Sequence, residues 1–350
     1  METKIFSFTK NSNTTEILTE PAEIIKNGGL VVFPSETVYG HGADATHPDP
    51  TSKIYAAKGR PSDNPLIIHI ANPVDAELYA FTNSTYYSLA ERFMPGPLTV
   101  ILEAKETVPL TTRGGLDTVA VRCPENLISR ELIRLAGVAV AAPSANISGS
   151  PSPTSFEYAF ADMNGRVDAI INGGDCDFGL ESTIVRVNDD GTLTLLRPGK
   201  ITKEDLEALG HTVTLANAVT DSLKDGEIAL SPGMKYRHYA PTAPVILLDG
   251  TKEQIADYII ANRHSEDKIA IITYVDDANY IKEAVKDIDV YEFGLRGDAS
   301  AQAHLLFKLL RDTDKKNYNV IYAPLPDTTG IGLALYNRMI RAAAHNIIRL

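Results

Sequence analysis

Residues 30–40 read LVVFPSETVYG, an apolar run followed at once by polar side chains. A short apolar run bounded in this way is typical of a buried β-strand. The residues after it, Ser35, Glu36 and Thr37, offer two hydroxyls and a carboxylate. Loops at strand ends are where binding and catalytic groups usually lie. The stretch therefore predicts a sheet protein in which one strand delivers polar side chains into a functional loop.

Two short polar motifs lie further along the chain, Lys58-Gly59-Arg60 and Ser144-Ala145-Asn146. Lysine supplies a point charge and arginine a planar fork of five N–H donors, both suited to phosphate oxygens. Serine and asparagine add small neutral donors that can approach the same anion. Together the motifs predict a polyphosphate site, although each motif alone is also typical of surface charge or of a turn.

Two residues at the ends of apolar runs are further candidates for substrate binding. Arg122 follows Val119–Val121, and a guanidinium is costly to bury without an anion because it does not lose its proton. A substrate carboxylate is its natural partner. His69 ends another apolar run, where the alternative to a substrate-binding role is a satisfied core histidine.

The spacing of strand-like and helix-like segments predicts an α/β protein with two domains. In residues 1–215 strands outnumber helices, which favours a twisted, mixed α/β sheet. Residues 244–350 alternate strands with helices, the pattern of a smaller, Rossmann-like, mostly parallel sheet. The predicted strands there are Val245–Leu248, Lys268–Thr273, Asp289–Phe293 and Asn319–Tyr322. Residues 216–243 have no clear periodicity and are predicted to be a linker or lid.

Composition sets broad limits on function. The chain has 350 residues, is 44% hydrophobic and carries a net charge of −12, of which −10 falls in residues 1–243. That charge argues against bulk attraction to nucleic acid and leaves at most a weak, local tRNA contact. No apolar stretch approaches the roughly 18 residues of a membrane span, and the N-terminus lacks a signal-peptide core, so a cytoplasmic protein with no membrane partner is predicted. Cys123 and Cys176 form no C-x-x-C pair and are interpreted as structural thiols.

Several common catalytic motifs are missing from the sequence. Gly199-Lys200 is followed by Ile201, so ATP would not be held by a P-loop. Neither H-E-x-x-H nor G-x-S-x-G occurs, which gives little support to a zinc or serine hydrolase. Gly330-Ile331-Gly332 lacks the third glycine of a dinucleotide fingerprint, so the C-terminal domain is assigned no chemistry of its own. These absences favour an enzyme that activates its substrate without a covalent nucleophile, in which positioning and charge neutralisation supply most of the rate.

The segments FPSETVYG, AAKGRPSDNPL, APSANISG and LESTIV, in this order, resemble the YrdC family of threonylcarbamoyl-AMP synthases. Residues 231–241, SPGMKYRHYAP, resemble the linker of the longer, two-domain form of that family. Nearly the whole chain is covered by the resemblance. Four ordered motifs are far more specific than any one alone.

The resemblance implies a nucleotidyltransferase that forms threonylcarbamoyl-AMP and pyrophosphate from L-threonine, bicarbonate and ATP. It also implies that the product serves threonylcarbamoyladenosine modification of tRNA beside the anticodon, through a partner transferase. Mg²⁺ would be held mainly by the nucleotide phosphates, with no protein metal site. The implied catalytic residues are Lys58, Arg60, Ser144 and Asn146; those binding threonine are Thr37, His69, Arg122, Ala142 and Ser182; those binding ATP are Arg60, Asn64, Thr118, Ser144, Ser152 and Arg197.

Residues 231–241 are unusually basic and aromatic for a passive tether. We therefore predict that this segment closes over the nucleotide, with Tyr236 and Arg237 among the groups that cap it. Two alternatives to the enzyme remain open at this point. One is an RNA-binding or ribosome-assembly protein, and the other is a carbamoyl transferase of hydrogenase-maturation type.

Overall fold

The computed structural model describes residues 2–8, 13–221 and 239–350. The described residues form two compact units, one of residues up to 148 together with 152–221, and one of residues 149–151 together with 239–350. The division predicted from the sequence, at residues 215 and 243, stays a prediction. Most of the predicted lid, including Tyr236 and Arg237, lies outside the described residues.

The first unit is built on one twisted, mixed sheet, as predicted. Its order is β1-β8-β2-β3-β7-β4-β6-β5-β9-β10-β11, with parallel and antiparallel neighbours interspersed. The strands are β1 (Lys4–Ser7), β2 (Val31–Phe33), β3 (Gly40–Asp44), β4 (Ile67–His69), β5 (Leu98–Glu103), β6 (Thr118–Arg122), β7 (Val140–Ala141), β8 (Ala169–Asn172), β9 (Thr183–Val187), β10 (Leu193–Arg197) and β11 (Val213–Leu215).

Helices and short 3₁₀ turns cover this sheet. They are α1 (Thr14–Lys26), α2 (Pro48–Lys58), α3 (Ser84–Phe93), α4 (Leu110–Arg113), α5 (Leu127–Ala136), α6 (Phe156–Met163) and α7 (Lys203–Ala208), with 3₁₀ turns at Pro73–Leu78 and Asn217–Val219. α1 and α5 bury an apolar stripe that includes Leu18, Ile25 and Leu132 against Val31 and Phe33 of β2. This packing fixes β2 and so fixes the start of the polar loop that follows it.

The end of α2 positions the Lys58-Gly59-Arg60 motif. Gly59 is the C-cap residue with φ of 63°, a left-handed conformation that glycine adopts without steric cost. Its amide donates to Ala56 O, and the Arg60 amide donates to Tyr55 O. Lys58 is therefore the last helical residue, whereas Arg60 lies beyond the turn.

The second unit has a parallel sheet in the order β14-β13-β15-β12-β16, which confirms the predicted parallel α/β domain. Its core includes Ile255, Ile259, Ile269, Ile271 and Ile281. The strands are β12 (Val245–Asp249), β13 (Ile269–Thr273), β14 (Ile288–Glu292), β15 (Val320–Pro324) and β16 (Ile347–Arg349); the helices are α8 (Lys252–Asn262), α9 (Val275–Ala284), α10 (Ala299–Asp314) and α11 (Ile331–Ala342).

Candidate functional site

Lys58, Ser144 and Asn146 form one hydrogen-bonded group, although they are far apart in sequence. The Lys58 ammonium donates to the carbonyl of Ser144, to Asn146 O at 2.5 Å and to Asn146 Oδ1 at 3.4 Å. The Ser144 hydroxyl donates to Asn146 Oδ1 at 2.5 Å. Lys58 is 3% exposed. The structure brings the two motifs into contact, with Lys58 as the donor that holds the Ser144–Asn146 loop, and a polyphosphate site there stays a prediction.

Arg60 lies on the other side of the αL turn, beside the predicted nucleotide residue Asn64. Its Nη2 donates to Asn64 O at 3.4 Å and to Pro65 O at 3.3 Å. Both side chains are buried, and Tyr55 donates its hydroxyl to the same Asn64 carbonyl at 3.1 Å. The segment 60–65 is thus a compact turn, with the cationic head of Arg60 folded along its backbone.

Three polar side chains lie side by side on neighbouring strands. His69 of β4 is the register partner of Arg122 of β6, and Arg122 is the register partner of Thr99 of β5. Register partners point to the same face of a sheet, so the three side chains form one row. Arg197 of β10 continues the row beyond Ile184 of β9, which is the register partner of both Thr99 and Arg197.

An apolar row runs next to the polar one. Ile67, Ala120 and Ile101 lie two residues away from the polar residues on β4, β6 and β5. They are on the same face, because side chains in strands alternate. They belong to one buried cluster with Ile184, Leu196 and Ala218, and Ala218 belongs to the 3₁₀ turn Asn217–Val219. The polar row therefore borders an apolar floor onto which the beginning of the predicted linker packs.

Arg122 forms a buried ion pair with a residue of the polar loop after β2. Its Nη2 donates to Glu36 Oε1 at 2.6 Å, and the two side chains are 5% and 4% exposed. Burial alone would raise the pKa of Glu36, but the charge of Arg122 and its hydrogen bond outweigh burial and hold that pKa below its ordinary value. The Arg122 Nε is buried with no hydrogen-bond partner among the described residues.

His69 is neutral in the folded protein. Burial, followed by the charge of Arg122, lowers its pKa to about 3. Its Nδ1 lies 3.3 Å from Val140 O, an acceptor, so Nδ1 carries the ring proton and Nε2 presents a lone pair. His69 can therefore accept a hydrogen bond from a substrate N–H or O–H.

Ser182 is tied to the row by its neighbours. Its hydroxyl lies 2.7 Å from Thr99 Oγ1, and Arg197 donates to Ser182 O at 3.0 Å and to Ser182 Oγ at 3.1 Å. The next residue, Thr183, donates its hydroxyl to Ile201 O at 2.7 Å. Ser152, predicted to bind nucleotide, donates to Glu181 Oε1 at 2.5 Å. The structure thus brings Ser182, which directly precedes β9, next to Thr99 of β5 and Arg197 of β10.

Other predicted residues lie apart from this row or beside its ends. Thr118 starts β6, whose last residue is Arg122, so the two are separated along the strand by about 13 Å. Ala142 follows β7 and its amide donates to Ile67 O at 2.9 Å, next to the apolar floor. Thr37 is fully buried, with its hydroxyl 2.8 Å from Ser35 Oγ.

The loop from Pro34 to Gly40 connects the polar row with the Lys58 group. At one end Glu36 holds Arg122. At the other, Gly40 forms a β-bridge with Ser144, and the Ala145 amide donates to Tyr39 O at 2.8 Å. Three residues separate Glu36 from Gly40, so the chain that joins the two polar regions spans at most about 14 Å.

Sequence reasoning gave no role to several polar residues that the structure places here. Thr99 was hidden in the apolar strand LTVILE, Glu181 was counted only as part of a motif, and Glu36 was noted only as a carboxylate in the loop. A polar residue inside an otherwise apolar strand was the available signal for Thr99. The pairing of Glu36 with Arg122 depends on strand order and had no local signal.

His41 of β3 is an unusual buried residue near this site. It is fully buried, and neither ring nitrogen has a hydrogen-bond partner within residues 2–8, 13–221 and 239–350. Burial, followed by the charge of Lys58, lowers its pKa to about 3. A buried imidazole that satisfies neither nitrogen costs stability, and it also resists protonation.

Replacing His41 by leucine is expected to raise the free energy of unfolding by about 1–3 kcal/mol near pH 7, because unsatisfied polar atoms are removed. The gain should grow on acidification. The unfolded chain binds a proton near pH 6.5 while native His41 does not, so wild-type stability falls as pH drops below 6.5, by up to about 1.4 kcal/mol per pH unit from this residue. Urea unfolding at pH 7 and pH 5.5 measures the difference. An equal gain at both pH values would contradict a neutral, buried His41.

The remaining reactive groups are unremarkable in their surroundings. Cys123 and Cys176 are buried free thiols, and burial raises the pKa of both, that of Cys123 to about 12. In the described part of the chain no cluster of three His, Cys, Asp or Glu could hold a metal ion. Within that same part, no helix is long and apolar enough to cross a membrane.

The fold and site define a two-unit α/β protein whose larger unit holds a cationic group and a buried arginine around one polar loop. Comparison with known proteins places it more closely. Residues 23–199 match the Sua5/YciO/YrdC family, described as telomere recombination, and residues 201–344 match the C-terminal domain of threonylcarbamoyl-AMP synthase. The chain belongs to the Sua5/YrdC family, in its two-domain form.

Curated relatives match over nearly their whole length. The threonylcarbamoyl-AMP synthase of Bacillus subtilis is 40% identical over 95% of this chain and 94% of its own. That of Pyrococcus abyssi is 40% identical over 94% of both chains. The solved structure of P. abyssi Sua5 complexed with L-threonine has a TM-score of 0.91 at 38% identity and covers 99% of this chain and all of its own.

Proposed function

We propose that the protein is an L-threonylcarbamoyladenylate synthase that makes threonylcarbamoyl-AMP and pyrophosphate from L-threonine, bicarbonate and ATP. The observation that carries the proposal is the Pro34–Gly40 loop. Within a few residues it joins the polar row that contains Arg122 to the hydrogen-bonded group of Lys58, Ser144 and Asn146, here called the Lys58 group. An amino acid and a triphosphate could therefore be held next to each other. Membership of the family supports the same activity, and its relatives bear that name.

The amino-acid end of the site would orient threonine. Arg122, with a buried Nε that lacks a partner among the described residues, would hold the carboxylate. His69 Nε2 would accept from the amine or the hydroxyl, and Ser182 and Thr37 would help to fix the same groups. The threonine amine condenses with bicarbonate to a carbamate, and water is released.

The phosphate end would carry the nucleotidyl transfer. A carbamate oxygen attacks the α-phosphorus of ATP in line, the bond to the bridging oxygen breaks, and pyrophosphate leaves with that electron pair. Lys58, Arg60, Ser144 and Asn146 would stabilise charge on the phosphates, while Asn64, Thr118, Ser152 and Arg197 would help to hold the nucleotide. The family uses ATP as substrate, and the donors here are cationic or neutral, so a Mg²⁺ ion would be held mainly by phosphate oxygens and would neutralise part of their charge.

The wider roles inferred from the sequence stay predictions. They are closure of residues 231–241 over the nucleotide through Tyr236 and Arg237, transfer of the product to a tRNA-modifying partner, at most a weak contact with tRNA itself, and a place in the cytoplasm. No observation in the described residues favours the RNA-binding or hydrogenase-maturation alternatives.

Pyrophosphate release from ATP is expected to need both threonine and bicarbonate, because the attacking oxygen belongs to a carbamate that neither substrate provides alone. Serine should support a lower rate, and alanine a lower rate still. A coupled pyrophosphate assay, with mass spectrometry of the adenylate, measures this. Turnover with alanine equal to that with threonine would contradict hydroxyl recognition. Salt-sensitive RNA binding without any pyrophosphate release would instead favour the RNA-binding alternative.

A further inference from the structure

The buried Glu36–Arg122 pair has a charge balance that bears on which ligands can enter. The two side chains are almost fully buried and their charged atoms are 2.6 Å apart, so the pair carries no net charge. Neutral His69 adds no charge to it. The Asn126 amide, 3.4 Å from Glu36 Oε2, adds a further donor that favours the ionised carboxylate.

A ligand that brings only a carboxylate would add a negative charge that this neutral ion pair does not compensate. Burying an unpaired charge is expensive, whereas a zwitterion carries its own compensating ammonium. Arg122 can still serve a substrate carboxylate, since Glu36 contacts Nη2 and the buried Nε has no partner among the described residues. The ammonium of the same ligand would then pair with the Glu36 carboxylate, the negative charge that lies beside Arg122.

We propose that Glu36 is a specificity-determining residue: its negative charge makes the amino-acid site accept zwitterionic L-threonine and reject carboxylic acids that lack the amine. The inference rests on the proposed function and deepens it. Glu36 also positions Arg122, because it anchors one nitrogen of the guanidinium and leaves the rest of the fork to the substrate. Selection of the amine matters chemically, since only an amine can form the carbamate.

The test compares L-threonine with 3-hydroxybutyrate, which is threonine without its amino group. Calorimetric titration of the full chain gives the Kd of each ligand. We expect wild-type protein to bind 3-hydroxybutyrate at least about 100-fold more weakly than threonine. In Glu36→Gln, Arg122 keeps a net positive charge, so 3-hydroxybutyrate should bind more tightly and threonine more weakly. The ratio of the two Kd values should fall at least about tenfold.

Three controls separate this role from a structural one. Glu36→Asp keeps the charge and should keep most of the selectivity. Glu125→Gln removes an exposed carboxylate from the neighbouring loop and should leave both Kd values unchanged. The KM for ATP should stay within about twofold in Glu36→Gln, because the substitution does not change Lys58, Ser144 and Asn146, which are proposed to bind the phosphates.

Selectivity of the wild-type protein is a sufficient test if Glu36→Gln does not fold. Binding of 3-hydroxybutyrate within threefold of threonine would overturn the inference and leave the proposed function intact. An unchanged Kd ratio in folded Glu36→Gln would overturn it as well. A protein that binds no threonine at all would overturn the proposed function together with this inference.

Discussion

Replacing Lys58 by methionine is expected to lower the rate of adenylate formation by about a thousandfold. The substitution removes a cation predicted to act on the phosphates and also removes the donor that holds the carbonyls of Ser144 and Asn146. The same loss leaves buried acceptors unsatisfied, so stability should fall by about 1–3 kcal/mol. The rate effect should exceed the stability effect, because the folded protein keeps the rest of the site.

Lys53→Met provides a matched control. Lys53 lies on the same helix, α2, and also donates to a loop carbonyl, Gly28 O, at 2.6 Å, but it is exposed. Both variants remove a lysine of α2 that tethers a loop, and only one of them lies in the site. Single-turnover adenylate formation and thermal unfolding measure the two effects. Comparable loss of activity in Lys53→Met would mean that the helix, and not the Lys58 ammonium, governs the rate.

The double variant Glu36→Gln/Arg122→Met is expected to bind threonine about 100-fold more weakly than wild type, since the partner of the substrate carboxylate is gone. Arg122→Met alone is less informative. It would leave Glu36 buried and unpaired, which costs about 3–5 kcal/mol and can unfold the protein. Replacing both charges together avoids that cost, because neutral side chains of similar size then fill the same space.

Titration with threonine, and separately with a non-hydrolysable ATP analogue, measures this expectation. Nucleotide affinity should change little, because the Lys58 group and Arg60 remain. Equal losses of threonine and nucleotide binding would mean that the pair supports the fold of the whole site and has no particular role toward the amino acid. Thermal unfolding of the single and double variants shows how much of any loss is structural.

Much of the fold could be predicted because apolar periodicity is local. The run before the polar loop predicted β2, and the alternation after residue 244 predicted four of the parallel strands to within about two residues at each end. β3 was not predicted, because Gly40–Asp44 is rich in glycine and carries a histidine. α5 was also not predicted, although Asn126 precedes it and the Asn126 side chain caps the amides of Ile128 and Ser129.

The site was predictable to the extent that its residues lie in motifs. Lys58, Ser144 and Asn146 stood out by type and spacing, and the structure brings them together. Thr99 and Glu36 could not be assigned, since their importance comes from register with Arg122 and from a loop that folds back on β6. Such relations depend on strand order, which short-range patterns do not encode.

The polar row of His69, Arg122, Thr99 and Arg197 can form only when the sheet is complete. Each member comes from a different strand, and a slip of one residue in any of these strands would turn its polar side chain to the opposite face. Arg197 belongs to β10, the last of these strands to be synthesised. A chain still emerging from the ribosome therefore has an unfinished pocket. The full polar row forms only when every one of these strands is paired in register.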